Sequence, residues 1–118
     1  MSVSEEKSFA FAVKVVEAVK EIRSKHREYD LTSQLVRSGT SIGANVSEAQ
    51  KAQTKKDFIA KMSIASKEAN ETFYWIRLMT ATGYLDEVKS GELIALAQEL
   101  LKILTSIVKT AQEKTLNT

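Results

Sequence analysis

The apolar positions of this chain recur at helical spacing, in four blocks separated by short polar breaks. The first block predicts a helix from about Ser4 to Glu28. It is opened by Ser2-Val3-Ser4-Glu5, in which the serine and the glutamate three residues on can satisfy each other's backbone N–H groups. The pattern restarts around Tyr29 and Asp30, and a second helix runs from about Leu31 to Ala52. Thr54-Lys55-Lys56-Asp57 has the same capping logic and starts a third, which continues to about Ala81. Gly83 suits the left-handed position that ends it. The fourth begins near Asp86, or at Ser90 if Gly91 marks the boundary, and ends near Glu113. Short connections make consecutive helices antiparallel neighbours. The pattern predicts an all-α, antiparallel up-down four-helix bundle, with residues 1–118 as one domain.

The widths of the apolar stripes carry more information. In the first helix Phe9, Phe11, Val13, Val15, Val16, Val19 and Ile22 spread over an arc of roughly 220° on a helical wheel. A helix facing one core needs about half of that. The excess predicts a subunit contact, with Phe11 and Val15 as its candidates on this helix. The third helix has a core stripe of Phe58, Met62, Ala65, Ala69, Phe73 and Ile76, and a second patch of Ile64, Trp75 and Leu78 beside Glu68 and Glu71. That patch reads equally as a packing anchor with a satisfied indole N–H or as a second subunit contact.

The second helix is unlike the others. Leu31, Leu35, Ile42, Val46 and Ala49 form its core stripe, with Ser38 and Asn45 at the edge and Gln34, Arg37, Ser41 and Glu48 alongside. Arg37 and Glu48 are three turns apart and cannot pair with each other. An antiparallel hairpin centred near residues 53–54 brings Arg37 level with Asn70 and Glu71, with Glu68 one turn away; Glu48 comes within reach of Lys56 and Lys61. The expectation is a polar seam in which Arg37 pairs with Glu68 or Glu71, kept tight by Gly39, Gly43 and Ala44.

Composition narrows the chemistry. With no Cys, disulfides and thiolate metal sites are excluded. No apolar run approaches the roughly 20 residues of a membrane span. The start, MSVSEEKSFAFAV, is acidic before its apolar part, the reverse of a secretory signal, so a cytoplasmic location is expected. Carboxylate-bridged di-iron bundles need two Glu-x-x-His pairs. The chain has one histidine, His26, in the basic run Arg23-Ser24-Lys25-His26-Arg27. Haem ligation by His26 with Met62 or Met79 has nothing further to support it, and glycine-rich phosphate loops are missing. A helical nuclease that pairs an arginine with a histidine a few residues on would need that histidine after Arg37, where there is none. The sequence therefore predicts no enzyme, no cofactor and no metal.

The net charge of +2 says little. Its distribution says more: Lys51, Lys55, Lys56 and Lys61 cluster around the turn between helices two and three, and Lys20, Arg23, Lys25 and Arg27 late in helix one. Repeated in an oligomer, the first cluster is a candidate nucleic-acid contact. Lysines of this kind predict contact with the phosphate backbone rather than with bases.

Gln34-Leu35, Arg37-Ser38, Ser41-Ile42, Ala44-Asn45, Ser47-Glu48 and Lys56-Asp57-Phe58 resemble the signature of the 23S rRNA intervening-sequence protein family, small bacterial four-helix bundle proteins. The run Lys67-Glu68-Ala69-Asn70-Glu71-Thr72-Phe73-Tyr74-Trp75-Ile76 resembles that family's third-helix motif. Ala49 stands where the family often has Gly after the Glu. The resemblance implies an antiparallel bundle that assembles as a ring-shaped homopentamer. It also implies kinship with the accessory variability proteins of diversity-generating retroelements, which bind a reverse transcriptase and nucleic acid through a basic surface. Together these readings predict a non-enzymatic, ring-forming homo-oligomer that binds RNA or a ribonucleoprotein as a scaffold. The alternatives are a protein-binding adaptor without nucleic-acid contact and, from the enzyme class, a degenerate helical nuclease.

Overall fold

In a computed structural model, residues 1–116 are described and form four helices: α1 (Val3–His26), α2 (Asp30–Ala49), α3 (Lys55–Ala81) and α4 (Glu87–Leu116). Each packs on the next, α4 closes back on α1, and the diagonal pairs do not meet. The result is an up-down bundle in the shape of a rod, 53 × 22 × 21 Å. Its core runs the length of the rod, with Phe11, Leu35, Ile42, Met62, Ile76, Leu93, Leu100 and Leu104 among the largest buried side chains.

The helix ends follow local chemistry. At α1 the reciprocal cap forms as the sequence predicts: Ser2 Oγ accepts from the Glu5 N–H at 3.2 Å and Glu5 Oε1 from the Ser2 N–H at 3.0 Å. At α3 only one half of the box forms, the Asp57 N–H donating to Thr54 Oγ1 at 3.0 Å. α3 ends with Gly83 at φ 88°. Beyond the last turn the Tyr84 N–H reaches the Met79 carbonyl at 2.9 Å and the Gly83 N–H that of Thr80 at 3.2 Å, the paired bonds of a left-handed helix stop. Asp86 caps α4, accepting from the Lys89 N–H at 2.7 Å, so Gly91 lies inside that helix rather than before it.

α1 and α2 are shorter than the apolar pattern suggests. α1 stops at His26, with Arg27 left-handed at φ 53°. Glu28 then caps α2 from outside the helix: its carboxylate accepts from the N–H groups of Asp30, Leu31 and Thr32 at 2.9–3.1 Å. Arg23 ties the hairpin shut, donating to Thr32 Oγ1 at 2.9 Å and lying 5.5 Å from the centre of the Tyr29 ring. α2 ends at Ala49 rather than Ala52, because the Lys51 and Ala52 N–H groups turn to the carbonyls three residues back.

Two packing expectations are corrected. Phe11 and Val15, assigned to a subunit contact, are 1% and 0% exposed in the core of one chain. The wide arc of α1 divides the other way, leaving Phe9 (65%) and Val13 (43%) outside. The glycines of α2 do not tighten the seam with α3. Gly39 faces α1, where a Cβ would lie 2.9 Å from both Val15 methyls, and Gly43 faces the Ser8 backbone at 3.4 Å. Ala44 is exposed. Gly39 and Gly43 thus face α1 rather than α3.

Candidate functional site

On the α3 side of α2, Arg37 reaches two carboxylates. Its guanidinium pairs with Glu71 and lies 3.5 Å from Glu68, as the matched heights of the hairpin predict, while Nε is 3.4 Å from Gln34 Oε1. The Trp75 indole N–H donates to the same Glu71 carboxylate at 3.2 Å, and its ring meets Tyr74 edge-on at 5.0 Å. Trp75 is half-buried and so is Leu78, whereas Ile64 is exposed. The indole N–H thus finds its partner within the chain.

Beneath the ion pairs lies a contact that the wheel did not predict. Thr72 and Ser38 are both fully buried with their hydroxyls 3.1 Å apart; Thr72 Oγ1 is 2.7 Å from the Glu68 carbonyl and Ser38 Oγ 3.3 Å from that of Leu35. Two protons serve three contacts, so neither hydroxyl is left unsatisfied. Thr72 falls on the core stripe of α3 opposite Ser38, and that helical position is the sequence signal for the contact. Ser41 and Asn45 do not cross the seam. Ser41 Oγ donates to the Arg37 carbonyl at 2.6 Å and Asn45 Nδ2 to the Ser41 carbonyl at 2.8 Å, within their own helix.

Arg37 is half-exposed, and each of its neighbours already has a partner. The seam ties α2 to α3. Among the described residues no group of three or more His, Asp or Glu side chains is placed to hold a metal ion. Among the described residues no helix is long and apolar enough to cross a membrane.

The lysine cluster lies at the end of the rod where α2 turns into α3. Lys61 is drawn out of it: Nζ sits 3.0 Å from Glu48, whose hydrogen bond and charge raise the lysine pKa. Lys51, Lys55 and Lys56 remain exposed. Lys55 and Lys56 occupy the first two positions of α3, where the backbone N–H groups already carry partial positive charge. Beside them is an open groove of about 610 Å³ between the start of α3 and the last turns of α4. Ala52, Phe58 and Ile107 form its apolar wall; Lys55, Ser106 and Thr110 contribute polar groups. Phe58, half-buried, stands three residues beyond Lys55, one helical turn on. Of the second basic cluster, Arg23 is engaged in the α1–α2 hairpin.

A third region is the outer face of α1. Phe9 and Ala12 line a groove of about 340 Å³ together with Thr40, Gly43 and Ala44 of α2. Across the bundle, α3 exposes Ile64 and Tyr74.

Residues 3–106 match the sequence profile of the 23S rRNA-intervening sequence protein family. Among solved structures, a protein of unknown function from the S23 ribosomal protein family of Bacteroides thetaiotaomicron VPI-5482 is 43% identical, with a TM-score of 0.89 over 91% of this chain and 99% of that one. No protein of curated function matches.

Proposed function

The chain belongs to the 23S rRNA-intervening sequence protein family, and from that footing we propose that it is a non-catalytic, self-associating scaffold that binds RNA through the lysines of its α2–α3 turn. The observation that carries this reading is the placement of Lys55 and Lys56. A helix of 27 residues gains from acidic side chains in its first turn. This one puts two exposed lysines there and a single acid, Asp57. A choice that works against the helix, by some tenths of a kcal/mol per residue, is accounted for by an anionic partner. Lys51 adds a third cation at the same turn.

Self-association is supported by the two exposed apolar faces. Phe9 and Val13 lie on α1, Ile64 and Tyr74 on α3, helices that occupy opposite corners of the bundle. Two different patches on opposite sides suit head-to-tail contact, which closes into a ring, rather than a two-fold dimer through one patch. The ring is also what the family resemblance implies. Several lysine turns would then act on one RNA, so weak individual contacts sum through effective concentration.

The test is RNA binding by the charge-reversed protein. Lys55→Glu/Lys56→Glu should abolish binding at low salt with melting temperature kept within a few degrees. Retained affinity in that variant would remove the α2–α3 turn from the interface. Wild-type protein that binds no RNA at low salt would leave the adaptor reading in its place.

A further inference from the structure

We propose that the nucleic acid recognised at the α2–α3 turn is unpaired, with a base held in the groove between α3 and α4 and stacked on Phe58. The inference rests on the RNA-binding reading and makes it more specific. Lysines alone would suggest contact with the backbone only. Phe58 lies one turn on from Lys55 in α3, and the fold sets both on one groove against α4.

The groove has the character of a base site rather than of a bare packing defect. At about 610 Å³ it falls within the range of small-molecule pockets. Its floor is apolar and aromatic, and the hydroxyls of Ser106 and Thr110 and the Gln53 amide at its edge can pair with the polar rim of a base. Lys55 is part of the lining and Lys56, exposed, follows it in the first turn of α3, so cations for the phosphates flanking an inserted base belong to the same turn. A duplex cannot use such a site, since its bases are stacked inside; a single strand, loop or end can splay one out. Stacking on one aromatic ring is tolerant of base identity, so discrimination by strandedness is expected and discrimination by sequence is not.

Binding of labelled single-stranded RNA, single-stranded DNA and duplex RNA of equal length to the full chain tests this. Charge density alone favours the duplex, so a preference for the single strand is diagnostic. The wild type should bind the single strand more tightly than the duplex. Phe58→Leu should lower single-strand affinity by about tenfold while leaving duplex binding unchanged, and Phe58→Tyr should restore it. Because Phe58 also touches the core, a second variant fills the groove from an exposed lining position without adding an aromatic face: Ser106→Leu should remove the single-strand preference with no loss of melting temperature. DNA and RNA single strands binding alike would assign recognition to base and phosphate; a preference for RNA would add the 2′-hydroxyl to the contact. Equal affinity for duplex and single strand, or equal losses on both in Phe58→Leu and Ser106→Leu, would overturn the proposal. If lysine-dependent binding survives without strand preference, only this inference fails; if no nucleic acid binds, the scaffold reading fails with it.

Discussion

Glu28 is a single side chain that caps the start of α2. Burial works against its charge, but the N–H groups of Leu31, Thr32 and Asp30, with Arg23 nearby, hold its carboxyl below the ordinary glutamate range. A carboxylate whose pKa is depressed by folding stabilises the fold fully above its unfolded value, near pH 4.3. That contribution is lost as pH falls through the lower, folded value. Replacing Glu28 with Gln should cost about 1 kcal/mol at neutral pH, as the loss of a helix cap does, and should flatten the fall in melting temperature from about pH 5 downwards. Thermal melts of both proteins across that range decide it. An unchanged acid limb in the variant would mean that other carboxylates set it. The sequence announced a break at Tyr29-Asp30, yet not that Glu28 makes the cap, because caps from outside the helix have no fixed spacing to recognise. Arg37 is the opposite case. Its partners followed from hairpin height alone, since a rigid helix fixes the level of every residue once the turn is placed.

Between elements, α1 and α2 meet through glycines: Gly39 of α2 packs on Val15 of α1 and Gly43 on the Ser8 backbone. The apolar pattern located α2 and its core stripe, but not which neighbour its glycines meet. A wheel gives angles within one helix and leaves the rotation of the partner open. Substitution separates the roles of two helical glycines. Gly39→Ala would place a methyl 2.9 Å from both Val15 methyls, so α1 must shift or Val15 must change rotamer. The overpacking cost of about 1–3 kcal/mol should exceed the gain of up to about 1 kcal/mol from better helix propensity. At Gly91, inside α4, nothing lies within 4 Å of the added carbon. Gly91→Ala should therefore stabilise by up to about 1 kcal/mol. Chemical denaturation of the two variants should show midpoints moving in opposite directions, and Gly39→Ala should be rescued in part by Val15→Ala. Equal shifts of the same sign would contradict the close α1–α2 approach.

For the molecule as a whole, the fold was legible because four amphipathic stripes and short turns leave few other arrangements. The surfaces were less so. The excess apolar arc of α1 was visible in the sequence, but the wheel could not say which side of a wide arc faces inward; Phe11 and Val15 went to the core and Phe9 and Val13 remained outside. The lysine cluster was legible too, whereas the groove beside it was not, since α4 supplies one wall from some fifty residues away. The central claim joins these surfaces: apolar faces assemble the subunits, and their lysine turns act together on RNA. The salt dependence of RNA affinity tests it most directly. Lys51, Lys55 and Lys56 of one subunit acting alone would give a slope of log affinity against log salt of about −2 on a single strand. The assembled protein is predicted to give a clearly steeper slope, relaxing towards about −2 in Phe9→Glu/Val13→Glu. A wild-type slope no steeper than that of one subunit, or no complex at low salt, would contradict the account.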